Sequence, residues 1–169
     1  MVEGVHKERS LRILGIDPGF ARLGYAVLDF DGRRFQICDF GCIETSPKSP
    51  FPERLVVIYD ALNQILDQYS PEQVAIEQLF FARNTTTAIA VAEARGVAVL
   101  AGARRQLPVF QYTPVEVKSA VVGYGKADKQ QVQNMTCQIL GLRRIPQPDD
   151  AADALAIAIC HGHSSQGIV

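Results

Sequence analysis

The sequence has no uninterrupted apolar run approaching the roughly 20 residues a membrane-spanning helix needs. Met1 to Arg9 mixes acids and bases around no apolar core, which is not the pattern of a secretory signal. There is no CxxC pair; Cys38, Cys42, Cys137 and Cys160 fall in apolar stretches. Reduced, buried thiols in a cytoplasmic protein are therefore expected, rather than a disulfide framework. Net charge is nearly absent, −1 at pH 7, so the chain is not a uniformly basic nucleic-acid coat. No internal repeat and no low-complexity segment is visible. What remains is 169 residues, 47% hydrophobic and 21% charged, the make-up of one globular domain with a sizeable core.

The small net charge hides a division. Arg95 to Arg144 carries eight basic residues against two acids, Glu116 and Asp128, while the rest is acidic. One basic face on a neutral protein is a footprint for phosphate backbones, although most charge runs are simply solvated faces.

Residues 1–10 read as a flexible extension and 164–169 as a flexible tail, leaving a single domain over 11–163. Leu11–Asp17, Leu23–Phe30 and Arg33–Thr45 read as three strands of an antiparallel meander. Asp31-Gly32 signals the second turn, and Gly41 a bulge or close approach. Three prolines then make Ser46–Pro52 a loop. Glu53–Tyr69 has helical spacing, and Gln73–Gln78 is a short strand. Alanine-rich Thr85–Arg105 reads as a helix, and Val109–Tyr112 as a fifth strand. Thr113-Pro114-Val115-Glu116 is a capping box opening another helix, and Asp128 caps the next one, to about Leu140. A final helix runs from Asp149 to about His161, with fraying from His163. The order predicts an α/β fold, a mixed five-stranded sheet flanked by helices, which matches a ribonuclease H-like pattern.

Four acids sit where a purely structural sequence would rarely place them. Asp17 follows Leu14-Gly15-Ile16 and Glu77 follows Val74-Ala75-Ile76; Asp150 and Asp153 lie one turn apart on the last helix. A buried unpaired carboxylate is costly, so each needs a partner, a metal or exposure at an element's end. If the first and fourth strands are neighbours, Asp17 and Glu77 converge, and the four acids form an oxygen-rich site suited to Mg²⁺ or Mn²⁺. Taken singly, Asp17 could be a turn residue, and Asp149 or Asp150 a helix cap. An acid in an apolar strand, such as Glu77, has no propensity reason.

Leu14-Gly15-Ile16-Asp17-Pro18-Gly19, followed by Gly24-Tyr25-Ala26-Val27, resembles the opening of the RuvC family of Holliday-junction resolvases. Ala75-Ile76-Glu77-Gln78-Leu79-Phe80 is similar to its second acidic motif, and Pro148-Asp149-Asp150-Ala151-Ala152-Asp153-Ala154-Leu155-Ala156 to its last. Ala94-Arg95-Gly96-Val97, Val117-Lys118 through Gly123, and Ala127-Asp128-Lys129 match in between, in order, from about Leu11 to His163. The resemblance implies a dimeric, Mg²⁺-dependent endonuclease that makes paired nicks in four-way junction DNA during recombination and repair, alongside a branch-migration motor complex. It carries metal binding, with two ions and Mn²⁺ as a substitute, onto Asp17, Glu77, Asp150 and Asp153. The family takes aspartate or histidine at the third position. Asp149 is the rival there, and the Asp-Ala-Ala-Asp spacing favours Asp150.

The resemblance also places Lys118 and Lys129 near the cleaved strand and makes Phe80 a base-stacking aromatic. Without it, the lysines are solvated helix residues and Phe80 is core. His161 and His163 beside Cys160 lack zinc-finger spacing and read as incidental residues of a frayed helix end. Ala88, Ala92 and Gly96 form a small stripe that would pack on the sheet or on a second subunit. Three rivals are weighed against this reading. An actin-like ATPase needs two such domains. Against a nuclease of the same fold acting on RNA or stalled replication intermediates, the basic Arg95–Arg144 segment and Phe80 favour the junction enzyme, and a non-catalytic junction binder gains nothing from four acids facing phosphates.

Overall fold

The computed structural model describes residues 10–79 and 85–166. Its elements run β1 (Leu11–Asp17), β2 (Arg22–Phe30), β3 (Phe35–Glu44), α1 (Phe51–Tyr69), β4 (Gln73–Glu77), α2 (Thr85–Arg104), β5 (Val109–Tyr112), α3 (Pro114–Val122), α4 (Lys129–Leu140) and α5 (Asp149–Ser165). The sheet order is β3-β2-β1-β4-β5. The first three strands are antiparallel, while β4 and β5 join parallel to β1. This is the expected mixed five-stranded sheet.

Side chains alternate across the sheet, so each strand feeds two cores. Leu14, Ile16, Val27, Val74 and Ile76 face α1 and α2, meeting Ile58, Leu62, Ala94, Ala98 and Ala101. Ile13, Ala26, Leu28 and Ala75 face the other way, against Leu155, Ile159 and Val117 of α5 and α3. Helix α5 is buried along most of its length and lies directly on β1 and β2.

Several local expectations are corrected. Helix α1 begins at Phe51, two residues before the expected start, because a proline in the first turn lacks an N–H that would be orphaned anyway. The bulge lies at Cys38, where the register shifts between Val27 and Leu28. Gly41 instead permits close approach of the Tyr25 ring, which a Cβ would meet at 3.1 Å. Cys137 and Cys160 are buried, but Cys38 and Cys42 are half-buried on β3; all four are free thiols. Helix α5 does not fray at His163. It runs to Ser165, with the Ser164 and Ser165 hydroxyls donating to the Cys160 and Gly162 carbonyls at 2.8 Å.

His161 is the largest departure. It is fully buried rather than part of a loose end. Its Nδ1 lies 2.7 Å from the Tyr112 hydroxyl and its Nε2 2.5 Å from Gln73 Oε1, so both ring nitrogens have partners. Burial lowers its pKa to about 4 and keeps it neutral at physiological pH.

Candidate active site

The alternation that builds the two cores also aims the acids. Ile13 and Gly15 point towards α5, so Asp17, two residues on, does too. Ala75 faces the same way, and with it Glu77. Ile16 pairs with Ile76 in the parallel β1–β4 ladder, so Asp17 and Glu77 end their strands side by side. Helix α5 starts above this point and contributes Asp150 and Asp153. The convergence expected from neighbouring first and fourth strands is thus present.

Two glycines let α5 descend that far. A Cβ on Gly15 would collide with the Ala154 carbonyl oxygen and lie 2.8 Å from Ala158 Cβ. One on Gly24 would collide with the Asp150 carbonyl oxygen and sit 3.2 Å from Ala151 N. Neither glycine stands out as a site residue in the sequence alone, since the close approach depends on a helix more than 100 residues away.

The first turn of α5 contradicts the capping alternative. The N-cap is Pro148, which has no side-chain oxygen to offer, and Asp149 and Asp150 are already helical. Asp150 leans to Arg22, with Oδ2 3.6 Å from Nε, whereas Asp149 pairs with Lys129.

The site is electrostatically strained. Burial, then Asp153, Glu77 and Asp150, push the Asp17 carboxyl up to about 8. Glu77 is raised by burial and Asp153, and partly relieved by Lys118. Asp153 is raised by burial despite the attraction of Lys129. Like charges in low dielectric disfavour ionisation, so the cleft carries more negative potential than its protein cations offset. A hard divalent cation fits this donor set, which is all carboxylate oxygen. Glu77 and Asp153 line one cleft and Asp150 a neighbouring one beside Arg22, and among the described residues no three acids are drawn close enough to hold a metal ion as they stand.

Lys118 of α3 and Lys129, the first residue of α4, flank the cleft. With Glu77, Asp153, Pro114 and Val132 they line a cavity of about 200 Å³. Thr113 caps α3 through the expected capping box and Asp128 caps α4 as expected, there with Gln131 completing a second box, and so they fix where each lysine starts. Phe80 lies outside the described residues. Arg22 was missed by sequence reading: an exposed arginine at a strand start carries no pattern. The basic residues do not merge into one group, since Arg95 is tied to the Glu77 carbonyl and Gln111, and Arg105 to Asp67.

The family model described as crossover junction endodeoxyribonuclease RuvC matches residues 13–161. The chain belongs to the RuvC family. A curated RuvC crossover junction endodeoxyribonuclease from Alkaliphilus metalliredigens is 54% identical over 152 residues, 90% of this chain and 93% of its own. The Thermus thermophilus RuvC structure superposes with a TM-score of 0.87 at 36% identity, covering 93% of this chain and 96% of that one. The same protein in complex with a Holliday junction substrate gives 0.88 at 35% identity, with the same coverage. The fold is therefore ribonuclease H-like, and divalent-metal dependence is general to RuvC nucleases.

Proposed function

We propose that this chain resolves four-way DNA junctions by paired, metal-dependent nicks, and that Asp17, Glu77, Asp150 and Asp153 form its active site. The observation that carries the reading is that two strand-end acids lie side by side and two α5 acids come near enough to raise the Asp17 carboxyl. A purely structural cluster of this kind would be selected against, because Asp17 and Glu77 lose hydration beside other acids and the flanking cations offset only part of that cost. RuvC relatives are named crossover junction endodeoxyribonucleases, and one is solved on a Holliday junction.

Two Mg²⁺ ions held by the four acids, with Mn²⁺ as a substitute, would activate water and offset charge on the leaving 3′ oxygen. The protein's own share is placement. Asp17 and Glu77 sit on rigid strand ends, and the close contact of α5 with Gly15 and Gly24 sets the height of Asp150 and Asp153. Lys118 and Lys129 supply point charges on the cleft wall, where a phosphodiester gains negative charge during attack. Arg22 flanks the opposite side, beside Asp150. Phe80, three residues beyond Glu77, is assigned to stacking on an unpaired junction base.

Two symmetric cuts call for a homodimer, and α2 supports one. Its sheet-side face is Ala94, Ala98 and Ala101. The small stripe of Ala88, Ala92 and Gly96 does not pack on the sheet. Among the described residues nothing lies within 4 Å of a Cβ placed on Gly96, and Ile89 and Leu100 nearby are more than half exposed. A branch-migration motor is the further partner of this reading, and the cytoplasm its location. Among the described residues no helix is long and apolar enough to cross a membrane.

The test is incubation with a synthetic four-way junction, a linear duplex and an RNA–DNA hybrid, with and without Mg²⁺. Paired nicks in the junction alone, and only with metal, are expected. Comparable cutting of the hybrid would overturn the assignment in favour of an RNA-directed nuclease.

A further inference from the structure

Lys129 is held by two acids with different positions. Its Nζ lies 3.0 Å from Asp149 Oδ2 and 3.4 Å from Asp153 Oδ2. Asp149 and Asp153 are four residues apart on α5 and share a face, so one ammonium can sit between them. Asp150, one residue round the helix, looks instead towards Arg22. The same turn of helix therefore feeds two different cation partners.

The two partners of Lys129 are not equivalent. Asp153 belongs to the cleft, whose wall it shares with Glu77 and Lys118. Asp149 is more exposed, 53% against 37% for the side chain, and lies closer to the ammonium. An ammonium resting on Asp153 alone would occupy an oxygen that the cleft needs for a divalent cation. An ammonium with no partner would swing into solvent on a four-carbon stem with many rotamers. The backbone of Lys129 is already fixed by the Asp128–Gln131 capping box, at 2.8 Å and 2.9 Å, so the freedom left is that of the side chain.

We propose that Asp149 is a positioning residue: it shares the Lys129 ammonium with Asp153 and draws it towards the rim of the cleft, so that a divalent cation competes more easily for Asp153 while Lys129 stays on the cleft wall. This rests on the reading of the cleft as a metal-dependent nuclease site. It also gives the neighbour of Asp150 a separate duty, acting through Lys129 rather than on a metal.

The experiment is a double-mutant cycle on the full chain, read by calorimetric Mn²⁺ titration without DNA and by single-turnover cleavage of a synthetic four-way junction. In Asp149→Asn, Lys129 falls back on Asp153. Mn²⁺ affinity and the cleavage rate should then each drop on the order of threefold, the modest size proper to an exposed pair. Asp149→Glu should restore both. In a Lys129→Ala background, Asp149→Asn should change neither, because there is no ammonium left to misplace. An equal loss in both backgrounds would overturn the proposal and make Asp149 act through its own charge. No loss in either would overturn it as well. If the wild type binds no Mn²⁺ and cuts no junction, the nuclease reading itself fails, a result separate from either of these.

Discussion

The two ends of α5 carry titratable side chains into the interior under opposite terms. At its C-terminal end His161 is fully buried, yet both ring nitrogens are met, by Tyr112 and by Gln73. At its N-terminal end Asp150 and Asp153 join Asp17 and Glu77, and burial with mutual repulsion pushes Asp17 to about 8. One end is a closed polar network that locks α5 to β4 and β5. The other leaves charge uncompensated, which a fold built for stability alone would avoid. Where a buried polar group has all its partners, it is structural; where it lacks them beside an open cleft, the missing partner is a ligand.

The largest test of this contrast is Asp17→Asn. Junction cleavage should fall at least ~100-fold, the scale of losing an electrostatic element worth several kcal/mol. The metal-free protein should melt at about the same temperature at neutral pH, where Asp17 holds its proton, and higher above pH 8, where the variant removes a repelled charge. Unfolding of this variant, measured by calorimetry, would make the acid end structural too.

Gly24→Ala attacks the packing that sets the acid end in place. Its methyl would strike the Asp150 carbonyl, so α5 must lift. A loss of about 1–3 kcal/mol in denaturant unfolding is expected, with cleavage lost in the molecules that stay folded.

His161→Leu is the matching test at the other end. It takes away the imidazole partner of the half-buried Tyr112 hydroxyl and Gln73 amide, at about 1–3 kcal/mol in total. Cleavage per folded molecule should stay near wild type. A specific loss of cleavage without loss of stability would erase the distinction between the two ends.

The smallest expected effect is a difference in sign with pH. The folded Asp17 pKa, about 8, lies above its unfolded value of 3.8. The folded state then binds more protons between those values, and the metal-free protein gains stability as pH falls through 8. The folded His161 pKa, about 4, lies below its unfolded value of 6.5, so its network loses stability as pH falls through that window. Melting temperature without metal should rise from pH 8.5 to about 6.5 and then level or decline. Asp17→Asn should flatten the rise, and His161→Leu the decline.

These contrasts explain what could be read from the sequence. Asp17 and Glu77 were legible because each closes an apolar run, and the period of two then fixes the face they share. The α3 and α4 starts were legible because capping boxes are local chemistry at Thr113–Glu116 and Asp128–Gln131. The rest depends on partners far along the chain. Gly15 and Gly24 acquire meaning when α5 arrives, and His161 reads as part of a loose end until Tyr112 and Gln73, 49 and 88 residues away, stand beside it. The Asp-Ala-Ala-Asp spacing already favours Asp150 over Asp149; that the two neighbours pair with different cations, Arg22 and Lys129, is what no spacing rule contains.

The most direct measurement is strand-resolved cleavage of one synthetic four-way junction in Mg²⁺ by wild type, Asp150→Asn and Asp149→Asn, with junction binding measured alongside. Wild type should place symmetric paired nicks. Asp150→Asn should bind the junction as well as wild type and cut at least ~100-fold more slowly. Asp149→Asn should cut with a reduction on the order of threefold. Wild-type cutting by Asp150→Asn with none by Asp149→Asn would exchange the two residues' roles, and undiminished cutting by both would contradict the four-acid site.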